Sequence, residues 1–197
     1  MHFEVLVEDA SGRLLLDAVL PKILGPDGDE HTWRTIAYKG VGKLPAGLKP
    51  GSDARHRILL DQLPRLLAGY GKSLHHQEAA VVLVVDQDDK PCLELKAKLV
   101  AVLESCHPRP TALFRIAVEE MEAWLLGDRA AVEQVYPKAK AQILDKYVQD
   151  SVCGTWEVLA DAIHPGGRQG AEAGRTPGPS EVSPRDSDGP AQGMTSC

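Results

Sequence analysis

Ala80-Val81-Val82-Leu83-Val84-Val85, followed at once by Asp86-Gln87-Asp88-Asp89, is the stretch that decides the fold. A continuous apolar run of this length, bounded by acids, reads as a strand covered on both faces. Strands of that kind belong to parallel sheets layered between helices. The acids then fall at the carboxyl end of the strand, where ligands bind in open α/β sheets.

The flanking sequence has the alternation this requires. Phe3–Val7 reads as a strand, with Glu8-Asp9-Ala10-Ser11 as the turn after it. Arg13–Leu24 carries Leu16, Val19, Leu20 and Ile23 at helical spacing, with Ser11 as the expected N-cap and Pro21 as an expected kink or break. Trp33–Tyr38 reads as a second strand, Lys39–Asp53 as a Gly/Pro-rich connection and Ala54–Ala68 as a helix. After the Ala80–Val85 strand come a helix over Leu93–Leu103, a strand over Ala112–Val118 and a helix over Glu119–Leu126. Two or three short helices then run to Ile163. The expected fold is α/β, with a mainly parallel sheet and helices on both faces.

Composition bounds the rest. The chain has 197 residues, 43% hydrophobic and 25% charged, with a formal net charge of −6. That excludes a generally basic nucleic-acid coat, though not a local basic strip. There is no apolar run of membrane-spanning length and no signal-peptide pattern. Four cysteines at 92, 106, 153 and 197 show no C-x-x-C pairing and read as reduced packing thiols in a cytoplasmic protein. All nine aromatic residues precede position 165. Residues 165–197 hold seven of the 18 glycines and five of the 14 prolines, so a domain over 1–164 and a disordered low-complexity tail over 165–197 are expected.

Acids follow three of the four strands. Glu8 and Asp9 follow the first, Asp86 and Asp88 the third, and Glu119, Glu120 and Glu122 the fourth. Asp86 and Asp88 stand roughly 7 Å apart along an extended chain and on one side of it. With Glu8, they suit one hard divalent ion, Mg2+ or Mn2+, and their carboxylates are expected within about 8 Å of one another. The same acids also suit turn and N-cap positions. Glu119 and Glu122, at i,i+3, would share a helix face and extend the metal site or bind a second ion, or simply favour a helix N-terminus. Trp124 reads as core.

Trp33–Arg57 carries six Lys/Arg against one acid. Within it, Lys39-Gly40-Val41-Gly42-Lys43 is a loop whose glycines let backbone approach a phosphate, with Lys39 and Lys43 as phosphate-binding candidates. It also reads as a solvated surface loop. It is not a Walker A loop, since Ala37 and Leu44 stand where Gly and Ser/Thr belong. His75-His76 reads as exposed.

Taken together, Glu8 in Leu6-Val7-Glu8-Asp9 and Asp86-Gln87-Asp88 resemble the Glu and Asp-x-Asp motifs of a Toprim-type domain. More closely, residues 1–164 resemble the bacterial domain-of-unknown-function family 4276, through Val5–Ser11, Tyr38–Lys43, Val82–Asp88, Ile116–Asp128 and Gly154-Thr155-Trp156-Glu157. The resemblance implies a Rossmann-like Toprim fold and a Mg2+-dependent phosphoryl-transfer site. It also implies a nuclease-type activity and an ATPase partner, in defence against foreign DNA. The usual Toprim Gly after the Glu is replaced by Asp9, an added charge that either supplies a ligand or hinders phosphate. From Gly166 onward the chain departs from the family, as an out-of-frame reading of GC-rich coding sequence would.

Three functions fit these readings. One is a Mg2+-dependent nuclease with Glu8 as general base or ligand, Asp86 and Asp88 as ligands and Lys39 and Lys43 on phosphate. The second is a non-catalytic Toprim-like subunit that docks or regulates an ATPase. The third is a small-molecule phosphoryl or nucleotide enzyme on a related sheet. Fold analogy does not choose between them.

Overall fold

Four strands, all parallel, form the sheet in the order β2-β1-β3-β4. They are β1 (His2–Val7), β2 (Thr32–Ala37), β3 (Ala79–Asp86) and β4 (Ala112–Ala117). The computed structural model describes residues 1–45, 58–87, 91–149 and 154–173. Helix α1 (Ala10–Leu24) joins β1 to β2, α2 (Leu59–Ser73) precedes β3, and α3 (Cys92–Glu104) joins β3 to β4. Among the described residues, five short helices follow: α4 (Glu122–Leu126), α5 (Arg129–Val135), α6 (Ala141–Leu144), α7 (Thr155–Ile163) and α8 (Gly167–Ala173).

The strand order dictates which face each helix takes. A right-handed crossover from β1 outward to β2 lays α1 on one face. The return from β2 past β1 to β3 runs the opposite way, so α2 lands on the other face, and α3 follows it. The cores confirm this division. Leu6, Val81, Leu83, Val85 and Phe114 point to one face and pack on Leu59, Leu60, Leu63 and Leu67 of α2 and on Leu95, Leu99 and Val102 of α3. Val5, Val7, Val84 and Ala117 point to the other and pack on Leu16 of α1 and on Met121. β3 is therefore covered on both sides, as its unbroken apolar run requires, and Leu83 is 0% exposed. Truncating it to Ala would cost about 2–5 kcal/mol. A third, smaller cluster of Leu126, Val132, Leu144 and Ala162 holds the helices after β4 together.

Coverage is incomplete on the α1 side. After β4 the chain turns into α4 and leaves Leu113 41% exposed beside a half-buried Val82.

Several local expectations are corrected. Asp9, not Ser11, caps α1: its Oδ1 accepts the Gly12 N–H at 2.8 Å and its Oδ2 the Ser11 hydroxyl at 2.5 Å. Helix α1 runs unbroken through Pro21, which sits in its last turn on an exposed side, where water can take the Asp17 carbonyl that proline leaves without a backbone donor. The helix after β4 starts at Glu122 rather than Glu119, because Glu119 adopts a left-handed φ of 65° that no α-helix admits. Trp124 is 44% exposed; in the five-residue α4 the inward positions belong to Ala123 and Leu126. The domain does not stop at 164, since α8 folds back on α7. Asp161 Oδ1 accepts the Arg168 N–H at 2.7 Å, and its Oδ2 the Arg168 Nε–H at 3.1 Å. Leu159 and Ile163 join the third cluster. The remainder of the expected tail, 174–197, lies outside the described residues. No helix among the described residues is long and apolar enough to cross a membrane.

An ion pair between a buried carboxylate and an exposed guanidinium sits in the other half of the sheet. Glu4 of β1 is 6% exposed and accepts two N–H bonds from Arg34 of β2, at 2.8 and 3.0 Å. Burial, then the Glu4 charge, push the Tyr70 phenol up to about 12. Cys92 is half-buried and Cys106 is buried. Burial pushes the Cys106 thiol up, which suits a packing residue better than a reactive one.

Candidate metal-binding cleft at the switch point

β1 and β3 are neighbours whose onward connections leave to opposite faces. That reversal opens a crevice beyond their carboxyl ends, the place where doubly wound sheets bind ligands. Glu8 is the first residue after β1, and Asp86 ends β3. In register, Val7 pairs with Val84, which brings both acids to the mouth of the crevice. They meet there: the Glu8 carboxylate accepts the Asp86 backbone N–H at 3.3 Å. A cleft of about 250 Å³ opens beside them, lined also by Asp9, Gly12, Glu120, Glu122 and Trp156.

Each wall is fixed by a hydrogen bond that a cleft acid accepts. Asp86, 9% exposed, accepts the Met121 N–H on Oδ1 at 3.0 Å and so ties β3 to the turn after β4. Glu120 reaches α7: its Oε2 accepts the Trp156 N–H at 2.8 Å and the Thr155 hydroxyl at 3.0 Å. Asp9 holds the first turn of α1. That turn sits so close to the sheet that a Cβ on Gly12 would fall inside the Met121 and Val7 side chains. Glycine at this position lets the helix form the cleft's near wall.

Among the described residues, five carboxylates (Glu8, Asp9, Asp86, Glu120, Glu122) and no Lys or Arg line this cleft. Their joint field favours a cation. Among the same residues, no group of three or more His, Cys, Asp or Glu is placed to hold an ion as a protein-only cage. Mg2+ does not need one, since it is commonly held by one or two carboxylates, with water and substrate phosphate completing the octahedron. The oxygen-only donor set of Glu8 and Asp86 fits that mode.

Of the residues singled out from sequence, Glu8, Asp86 and Glu122 line the one cleft. Glu119 does not: it is 6% exposed, precedes α4 and shares no helix face with Glu122. Asp88 lies outside the described residues. Lys39 and Lys43 reach the same rim by another route. The loop after β2 returns to β1 through the Gly40 N–H, donated to the Glu8 carbonyl at 2.8 Å. It then meets α2, where Leu59 and Leu60 donate to the carbonyls of Gly40 and Val41. Lys39 is exposed, and Lys43 lines a second cleft of about 360 Å³ on the α2/α3 side, with Lys98 and Glu94. The basic loop thus flanks the acidic cleft without entering it; its continuation over 46–57 lies outside the described residues. His75 and His76 are exposed, as expected.

Glu120 and Trp156 are the cleft residues that sequence reasoning left without a role. Glu120 stood among the acids after the fourth strand, but its partners lie 35 and 36 residues further on, beyond any local pattern. Comparison with protein-family models, with curated proteins and with solved structures gave no match to this chain.

Proposed function

We propose that this chain is a Toprim-like, Mg2+-dependent phosphoryl-transfer protein of nuclease type, acting with an ATPase partner in defence against foreign DNA. The observation that carries the reading is the meeting of Glu8 and Asp86 at the switch point, in a cleft whose charged lining, among the described residues, is carboxylate alone. Carboxylates at a cleft favour a phosphate that arrives together with a cation over a bare one.

Glu8 and Asp86 would hold Mg2+ or Mn2+, with Glu122 on the rim. The bound ion supplies stabilisation of phosphoryl charge and a more acidic water. The chain's own groups do the positioning. Met121 N–H fixes the Asp86 carboxylate. Glu8 stands at the cleft mouth either as ligand or to take a proton from the attacking water. Lys39 and Lys43, on the loop after β2, would hold neighbouring phosphates of the strand. The test is Mg2+ titration by calorimetry together with cleavage of single- and double-stranded DNA, for wild type, Glu8→Gln and Asp86→Asn. The reading expects Mg2+ binding and cleavage in the wild type, both weakened in each variant. A wild-type chain that binds no Mg2+ would overturn it.

A second reading, a non-catalytic subunit that docks an ATPase, is favoured by the uncovered sheet face at Leu113 and Val82. Under that reading Leu113→Asp abolishes ATPase capture, while Glu8→Gln and Asp86→Asn leave it intact.

A further inference from the structure

Helix α2 carries two glycines in its second half, Gly69 and Gly71, and packing accounts for one of them. A Cβ on Gly71 would fall 1.9 Å from the Pro108 carbonyl oxygen, so glycine lets α2 close on the loop after α3. A Cβ on Gly69 would meet nothing within 4 Å, and the residue is exposed. Nor does Gly69 adopt the left-handed φ that favours glycine. Glycine inside a helix is less stable than alanine, and at this position no contact or turn in the described residues asks for it.

Gly69 is a gap in a ridge. On one side lies a groove of about 630 Å³, with Leu66 and Tyr70 of α2 and Tyr38. On the other lies a groove of about 570 Å³, with Ala68 and Lys72 of α2 and with Ser105 and His107. Arg65 and Gly69 line both. Arg65 stands about 6 Å before the gap along the helix axis and Lys72 about 4.5 Å after it, at 1.5 Å per residue. Both are exposed, and among the described residues neither side chain makes a hydrogen bond or an ion pair. The Asp61 carboxylate, one turn before Arg65, accepts instead from Gln62 Nε2 at 3.4 Å. Neither groove has a carboxylate in its described lining, in a chain of net charge −6.

That lining suits an anion, and the extent of the face selects which kind. Among the described residues, Arg65 and Lys72 are the only Lys or Arg in the two linings. Asp61 precedes them on α2, and the exposed Glu104 adjoins Ser105. A duplex carries a charge about every 1.7 Å of its axis and would run past this short face onto those acids. A short acidic peptide would not. Laid across α2 at Gly69, an extended chain passes from one groove to the other, with side chains alternating between its two edges. Adjacent carboxylates then face Arg65 on one edge and Lys72 on the other. The planar guanidinium of Arg65 also suits a carboxylate through two parallel N–H bonds.

We infer that the α2 face at Gly69 docks a short, extended acidic segment of a partner protein. Lys72 is in the last turn of α2, which leads to the amino end of β3, whereas the acidic cleft lies at the carboxyl end. The docking face is thus separate from the metal-dependent reading. The test is anisotropy of fluorescein-labelled hexaglutamate at low salt, with thermal unfolding of each protein. The proteins are wild type, Arg65→Gln, Lys72→Gln, Gly69→Leu and Lys146→Gln, the last removing an exposed charge after α6. The expected result is salt-sensitive binding, weakened about three-fold or more by Arg65→Gln and by Lys72→Gln, as loss of one exposed ion pair implies. Lys146→Gln leaves it unchanged. Gly69→Leu raises Tm by about 2–4 °C, because a better helix former replaces glycine. It also weakens peptide binding more than either charge change, because its side chain fills the gap.

No binding of hexaglutamate by the wild type would overturn the inference. So would equal losses in Lys146→Gln and Arg65→Gln, or unchanged binding in Gly69→Leu. A labelled DNA duplex whose binding falls as much as the peptide's in Arg65→Gln and Lys72→Gln would overturn the peptide occupant, by making the face a general polyanion surface.

Discussion

The Glu8 carboxylate accepts the backbone N–H of Asp86 at 3.3 Å, across 78 residues of sequence. The bond joins the ends of two adjacent parallel strands at the point where the chain reverses its winding. It sets one acid by the backbone of the other, so any shift of β3 against β1 moves both. The second bond in the chain, from Met121 N–H to Asp86 Oδ1 at 3.0 Å, carries the same constraint to the turn after β4.

On the proposed metal-dependent reading, Asp86 has two separable roles. Asp86→Asn keeps an acceptor for Met121 and should fold with little loss of stability, while Mg2+ affinity falls by at least the roughly ten-fold typical of disturbed metal sites. Asp86→Ala leaves the Met121 N–H without its buried acceptor and should cost about 1–3 kcal/mol in urea unfolding. Equal stability of the Ala and Asn variants would show that the Met121 bond does not hold the turn.

Glu120 should act on α7 alone. Glu120→Ala leaves the buried Thr155 hydroxyl and the Trp156 N–H without their shared acceptor, a loss of about 1–3 kcal/mol. Amide exchange should quicken across Thr155–Ile163 and stay slow in β3, because α7 rests on the small third cluster and not on the sheet. Glu120→Gln keeps an acceptor oxygen and should restore most of the protection. Unchanged exchange at Trp156 in the Ala variant would mean that α7 is held by packing alone.

What the sequence made legible follows from the range of the interactions involved. β3 and its closing Asp86 were readable because a strand buried on both faces needs an unbroken apolar run. Glu8 was readable because it directly follows the first strand. Glu119 was misplaced because its φ of 65° is imposed by tertiary context, and local spacing at i,i+3 looks the same with or without a helix. Glu120 looked like one acid among three because its partners are distant in sequence. The helix at Gly167–Ala173 was hidden by glycine-rich composition; what holds it is a side chain on the preceding helix, Asp161.

The two exposed lysines of the β2 loop should govern salt dependence. The loop that carries Lys39 and Lys43 bonds back to the Glu8 carbonyl, and neither lysine is among the described lining of the acidic cleft, so on the proposed reading they would meet flanking phosphates rather than a bound ion. Changing both to Ala should weaken single-strand binding and lower the slope of log affinity against log salt by roughly 0.7 for each phosphate no longer neutralised. Mg2+ titration should be unaffected. An identical slope in wild type and double variant would reduce the loop to surface.

Helix α8 should loosen in acid. The Arg168 backbone N–H, followed by the Arg168 side chain, holds the Asp161 carboxyl below its usual range. A carboxyl depressed in the folded state contributes stability above its unfolded value, near 3.9, and loses it as pH falls through the folded value. The contribution is therefore complete at neutral pH and disappears below about pH 4. It is modest, because the pair is partly exposed and screened by water and salt. Amide exchange at Arg168, corrected for its intrinsic pH dependence, should show protection that declines between about pH 5 and pH 2, with the β3 amides as the control. Asp161→Asn keeps an acceptor for the N–H but has no charge to lose, so its protection at Arg168 should start lower and stay level over the same range. A wild-type profile as flat as that of Asp161→Asn would show that Asp161 does not hold α8 through its charge, and that the helix stays on α7 by backbone and packing contacts alone.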